Sequence, residues 1–372
     1  MIRMQNAVFR NTWFVVLLAW GATSANVTGS DPQAPRLLVY CSAAQEQCID
    51  VLSLNPETGA LTKLSRLKTP GEPAALAVSP NSRFLFASMR STGQLCSIRI
   101  DPASGALQTL SVVEAGEDPA QITLDRSGNW LMTAYYVAAK VTVHRISQDG
   151  TLSAKPVFET PTLEKAHAIV PDALNHHVYV PHTGPNAIFQ FAFHPDTGKL
   201  SALQPPQLLR PTNTGPRHLA WHPSQPIAYI NNEQGSSVTA YRQQADGQLQ
   251  PGQTVSTLPP DSSTANSTAE IQVHPGGRFL YVANRGHDSL ALVRLDSTGG
   301  ELQLVRNIPT QSVPRSFDLD PDGRWLLAAG EATGELEVFR VHPEDGQLTS
   351  ISVTPIGPKL WWVLCVTPPA LP

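Results

Sequence analysis

The chain has 372 residues, only 15% of them charged, and a formal net charge of −4. No basic field is available to draw in nucleic acid or an anionic membrane surface, so neither is expected as a partner. Thirty-three prolines and 25 glycines suit short strands and tight turns rather than long helices.

Arg3 and Arg10 precede an apolar run from Trp13 to Trp20, which Gly-Ala-Thr-Ser-Ala follows. That order of charge, short apolar core and small residues predicts a signal peptide over residues 1–25, and hence an exported, periplasmic or secreted protein. An uncleaved anchor or a plain leader is the alternative. The run is short for a bilayer span, and no later segment reads as a stop-transfer sequence. Residues 26–36 read as a linker, 37–367 as one repeat domain and 368–372 as a tail.

From Leu37 onward the chain repeats itself. The unit is clearest from His274 to Asp296, where Pro275-Gly276-Gly277-Arg278 turns one strand into Phe279–Ala283 and a third strand follows Arg285-Gly286-His287-Asp288. With Tyr281 as anchor, the equivalent positions are Val39, Phe86, Met132, Tyr179, Tyr229 and Leu327, at intervals of 46 to 52 residues. The residues opening the preceding strands are Ala74, Ala120, His167, Arg217, Glu270, Arg315 and Lys359, usually just after a proline. A period near ~45 residues with about four short strands per unit predicts an all-β, seven-bladed β-propeller. The first unit lacks its innermost strand, and an orphan copy, Leu360 to Val366, stands at the other end of the chain. It is expected to close the ring and so remove two open sheet edges.

The acidic, glycine-containing turns after the third strands (NPETGALT, DPASGALQ, HPDTGKLS, ADGQLQ, HPEDGQLT) read as solvated turns without catalytic duty. Cys41 and Cys48 flank a short turn and could face each other as a disulfide. Cys96 and Cys365 read as buried apolar residues. Neither a CxxC pair nor a His/Cys set with zinc spacing occurs, so no metal or cofactor is expected.

In an antiparallel hairpin the start of the first strand and the end of the second share one rim. In a propeller both positions look toward the central channel. Four residues after the anchors come Ala43, Arg90, Tyr136, Thr183, Glu233, Arg285 and Glu331, with His182 and His218 adjacent. Together with the strand-opening residues they bring cations, carboxylates and histidines to one rim. The later units supply most of them, and the first two offer mostly small residues. Each group also has a structural reading as a solvated rim charge, an inter-blade ion pair or a satisfied histidine, contributing little to stability.

The segments GPRHLAWHP (215–223), YINNE (229–233), AEIQVHPGGRFLYVANRGHDS (269–289), PRSFDLDPDGRWLLAAGE (314–331) and VPHTGPNAIFQF (180–191) resemble the β-propeller lactonase family. That family includes propeller-type bacterial 6-phosphogluconolactonases and fungal carboxy-cis,cis-muconate cyclases. The resemblance runs from Leu37 to Val366. It implies a catalytic set of His167, Arg217, Glu233 and Arg285, all four already among the rim positions. His182, His218, Glu270, Arg315, Glu331 and Lys359 are the expected substrate-binding residues.

The expected function is a metal-independent, monomeric lactonase acting on a sugar or aldonic-acid lactone. Glu233 or His167 would serve as base, with Arg217 and Arg285 cradling an oxyanion or a substrate anion. An exported enzyme is expected to favour an unphosphorylated lactone, since sugar phosphates are cytosolic. The alternatives are a lactonising isomerase using the same residues, a non-catalytic exported propeller that binds a ligand or partner, and a redox propeller.

Overall fold

The computed structural model describes residues 37–368. The expected leader and linker lie outside the described residues. Within them the backbone forms 28 strands in seven four-stranded antiparallel sheets, with no helix among the described residues. No helix of the described residues is therefore long and apolar enough to cross a membrane.

One blade shows the logic. Ser267–Val273 is its inner strand, followed outward by Phe279–Arg285, Ser289–Leu295 and Leu302–Pro309. The second strand, FLYVANR, is buried at every position except Arg285, because both faces pack against neighbouring blades. That explains its continuous apolar run, which a one-sided sheet would have replaced with alternation. The outer strand has exposed positions along its length because it meets solvent.

Seven apolar clusters fill the seven gaps between adjacent blades. One joins Val39, Leu52 and Cys365 of the first blade to Trp325 and Leu336 of the last. Ring closure follows the prediction: Leu360–Val366 pairs antiparallel with Leu37–Ala43, from Leu38 opposite Val366 to Ala43 opposite Leu360. Leu360 and Val363 are buried, whereas Trp361 and Trp362 are only half-buried.

The acidic turns do more than face water. Gly59 holds φ +74°, and a Cβ there would lie 2.4 Å from the Trp325 ring of the preceding blade. Trp325 in turn donates its indole N–H to the Pro56 carbonyl at 2.9 Å. Gly346 repeats the device beneath Phe279, and its carbonyl accepts the Tyr281 hydroxyl at 2.7 Å. Only glycine combines that backbone angle with so close an approach. Each turn is thus a latch onto the preceding blade.

The candidate disulfide between Cys41 and Cys48 does not form. The register sets Cys41 opposite Asp50 and Cys48 opposite Ala43, leaving the two cysteines on a cross-strand diagonal. That is too long for a disulfide. All four cysteines are free and buried.

Candidate active site

The rim is built by a repeated backbone device. In four blades the residue after the second strand donates its N–H to the carbonyl preceding the inner strand: Arg90 to Glu72 and Tyr136 to Asp118 at 3.0 Å, Glu233 to Gly215 at 2.6 Å, Glu331 to Val313 at 3.0 Å. The strand then bulges. Between Pro314 opposite Gly330 and Ser316 opposite Ala329, Arg315 is left unpaired. Trp361 is left out in the same way between Leu360 opposite Ala43 and Trp362 opposite Ser42. Register shifts fall at the same level in Pro216–Trp221 and Ser267–Val273. A bulge re-aims the side chain it frees. Asn231 supports the one carrying Arg217 and His218: its Oδ1 accepts the His218 N–H at 2.8 Å and its amide donates to the Ala269 carbonyl at 3.0 Å.

These devices surround a cavity of about 460 Å³, whose walls include His167, Glu233, Arg285 and Arg315. Glu233 is clamped between two guanidinium groups. Its Oε1 accepts from Arg285 Nη2 at 3.0 Å, and its Oε2 lies 3.3 Å from Arg217 Nε. Arg217 is 2% exposed and also donates to the Ala269 carbonyl. His167 is buried, stands edge-on to Tyr136 at 5.6 Å, and lies 5.0 Å from the His218 ring. Its Nδ1 has no protein hydrogen-bond partner. Behind it, His218 Nδ1 meets Glu270 Oε1 at 3.1 Å, both side chains being buried. Arg315 pairs with Glu331 at 3.2 Å, and the same carboxylate accepts the Trp361 indole N–H at 2.9 Å.

Burial, with the Arg217, Arg315 and Arg90 cations and the neighbouring His218 ring adding to it, holds His167 well below the usual imidazole range. It is therefore neutral at pH 7 and able to accept a proton. Burial also lowers His218, and Glu270 offsets part of that. Desolvation, reinforced by Arg285 and opposed by Glu233, pushes Arg217 down to about 9. Further along the channel Asp318 is half-buried, and desolvation with the Glu270 charge raises it to about 7 against its hydrogen bonds from Cys365 N and Gln272.

Of the four expected catalytic residues, His167, Glu233 and Arg285 line the cavity, and Arg217 lies directly behind Glu233. Of the expected binding residues only Arg315 lines it. His218, Glu270 and Glu331 support the wall from behind. Lys359 is turned aside to Glu72 at 3.3 Å, over the Trp361 ring. His182 lies off the cavity: it is fully buried, bonded through Nδ1 to the Val180 carbonyl and packed 4.6 Å from Phe189. Its place one residue before the rim turns it into the blade interior, as strand alternation requires.

The expectation that the first two units bring mostly small residues is corrected. The second blade supplies Glu72, Arg90 and Ser91, the third Asp118 and Tyr136, and the closing strand Trp361. The signal was present, since Glu72 and Asp118 stand 46 residues apart, each just before the proline that opens an inner strand.

Residues 37–365 match the family model described as "Lactonase, 7-bladed beta-propeller". A 6-phosphogluconolactonase of Pectobacterium carotovorum is 31% identical over 327 residues, covering 88% of this chain and 97% of that protein. One from an Enterobacter species is 31% identical over 329 residues, covering 88% and 98%. Among solved structures, the periplasmic gluconolactonase of Pseudomonas aeruginosa superposes with a TM-score of 0.83 at 25% identity, covering 90% of this chain and all of that one. On the strength of the family match and these relatives, the chain belongs to the seven-bladed β-propeller lactonase family.

Proposed function

We propose that the chain hydrolyses a sugar or aldonic-acid lactone to its hydroxy acid by acid–base chemistry at this rim cavity. The observation that carries the reading is a neutral, buried His167 sharing one cavity with the Glu233–Arg285 ion pair. Hydrolysis needs a water relieved of a proton, a stabilised oxyanion at the carbonyl carbon, and a proton for the leaving ring alkoxide. His167 takes the proton from water and returns it to the alkoxide. Arg285, fixed by Glu233 and the Thr268 carbonyl, presents positive charge to the oxyanion. Glu233, clamped by two arginines, acts by holding them in place and accepting substrate hydroxyls. The guanidinium groups supply the positive charge that a metal would bring elsewhere, so the proposed reaction is metal-independent.

The test is proton release from a panel of sugar lactones by purified protein, with and without EDTA, comparing wild type with His167→Gln and Arg285→Ala. The reading predicts EDTA-insensitive turnover, lost by about 10²-fold or more in His167→Gln, with a raised KM in Arg285→Ala. Absence of turnover in the wild type would leave a binding propeller instead. Export belongs to the same proposal. It is supported by the charged start and apolar run within residues 1–25 and is checked by cell fractionation.

A further inference from the structure

The lactonase reading does not say which lactone fits, and the part of the cavity wall supplied by the second, third and closing blades speaks to that. Three guanidinium groups and three carboxylates line the cavity: Arg90, Arg285 and Arg315 with Glu72, Asp118 and Glu233. Each arginine already has a resident partner. Arg90 binds Asp118 through both Nε and Nη2, the latter at 2.7 Å, while Arg285 holds Glu233 and Arg315 holds Glu331. Resting on the lactonase reading, we propose that Asp118 and Glu72 make this cavity selective for a polyhydroxylated lactone without a phosphate.

The physical reason is charge balance. A phosphate dianion needs cations that are free to turn toward it, ideally through a bidentate fork. Here the Arg90 fork is spent on Asp118, and an entering dianion meets three carboxylates in the same cavity. A hydroxyl, which both donates and accepts, uses a carboxylate–guanidinium pair without displacing either member.

The pair is also fixed in place. The Arg90 guanidinium lies 5.9 Å from the Tyr136 ring centre and 5.7 Å from that of Trp361. Asp118 holds φ +57° before Pro119, anchored by the Tyr136 N–H on its carbonyl. Glu72 is held by Lys359 and by the Ser91 hydroxyl, which accepts its backbone N–H at 2.8 Å.

The experiment measures kcat/KM for gluconolactone and for 6-phosphogluconolactone in wild type, Asp118→Asn and Glu72→Gln. Calorimetric titration with gluconate and 6-phosphogluconate reads the same preference without turnover. Asparagine tolerates the left-handed backbone at 118, and Glu72→Gln serves as the second variant should Asp118→Asn fail to fold. The wild type is expected to prefer the neutral lactone, and each variant to shift the phosphorylated-to-neutral ratio upward by about tenfold. A wild type preferring the phosphate ester, or a ratio unmoved in both variants, overturns the proposal. No turnover of either lactone, with the binding preference and its shift intact, sinks the lactonase reading and leaves this selectivity standing.

Discussion

Replacing Glu233 with Gln tests the candidate site and its energetics together. Glu233 Oε2 lies 3.3 Å from Arg217 Nε, and Oε1 lies 3.0 Å from Arg285 Nη2. Arg217 is 2% exposed, so an amide at 233 leaves a buried guanidinium short of its nearest counter-charge. Removing one partner of a fully buried pair costs about 3–5 kcal/mol. Glu233 keeps 21% exposure and glutamine keeps one acceptor oxygen, so about 1–2 kcal/mol is expected here. For a domain of this size that lowers Tm by about 1.5–3 °C. This is more than a solvated rim charge would contribute, because the pair is set into the wall. Activity should fall further, by about 10²-fold in kcat/KM, since Arg285 loses the group that aims it. A double variant, Arg217→Met with Glu233→Gln, removes the stranded charge and should recover most of the lost Tm without recovering activity. Calorimetry and proton release on the three proteins decide it. A Glu233→Gln protein with wild-type Tm and wild-type turnover would refute the reasoning on both counts.

Deleting 360–372 removes Leu360 and Val363, buried apolar side chains worth roughly 1.5–3 kcal/mol each, and opens two strand edges. The truncated chain should lose its cooperative melt, and a Tm within a few degrees of the full chain would contradict the closure. Asp318 sits at about 7 in the fold against an ordinary 3.8, so the folded state binds the extra proton between those values. Its contribution is therefore full below about pH 4 and lost as pH rises through about 7. The wild-type minus Asp318→Asn stability difference should fall across that window by about 2–4 kcal/mol, and a flat difference from pH 4 to 8 would exclude it. Burial holds His167 well below its ordinary range, so kcat/KM should be level from pH 6 to 8 with its acid limb below 6, and a limb centred at 6.5 or above would remove His167 as the neutral base. Mass analysis after alkylation of unfolded, unreduced protein should count four thiols, and any fewer would contradict the free, buried cysteines.

The number of blades, their strands and the ring closure were legible in the sequence because each is a local pattern repeated. The spacing of Tyr179, Tyr229 and Tyr281 marks the second strands, and the orphan LWWVLCV names its own partner by what the first unit lacks. The rim positions of His167, Arg217, Glu233 and Arg285 followed from hairpin geometry, which antiparallel pairing fixes without long-range knowledge. What a side chain does at the rim was not legible, because it depends on one-residue register shifts and on charges from other blades. A bulge sends Arg315 and Trp361 out of the ladder, while ordinary alternation sends His182 into the core. Asp118 looks like any residue before a proline until the ring brings it against Arg90, and Glu72 meets Lys359 across 287 residues of chain. Sequence periodicity specifies which positions share a rim. Only the closed ring, where seven strand starts converge on one channel, decides which charges neutralise one another and what the cavity can hold.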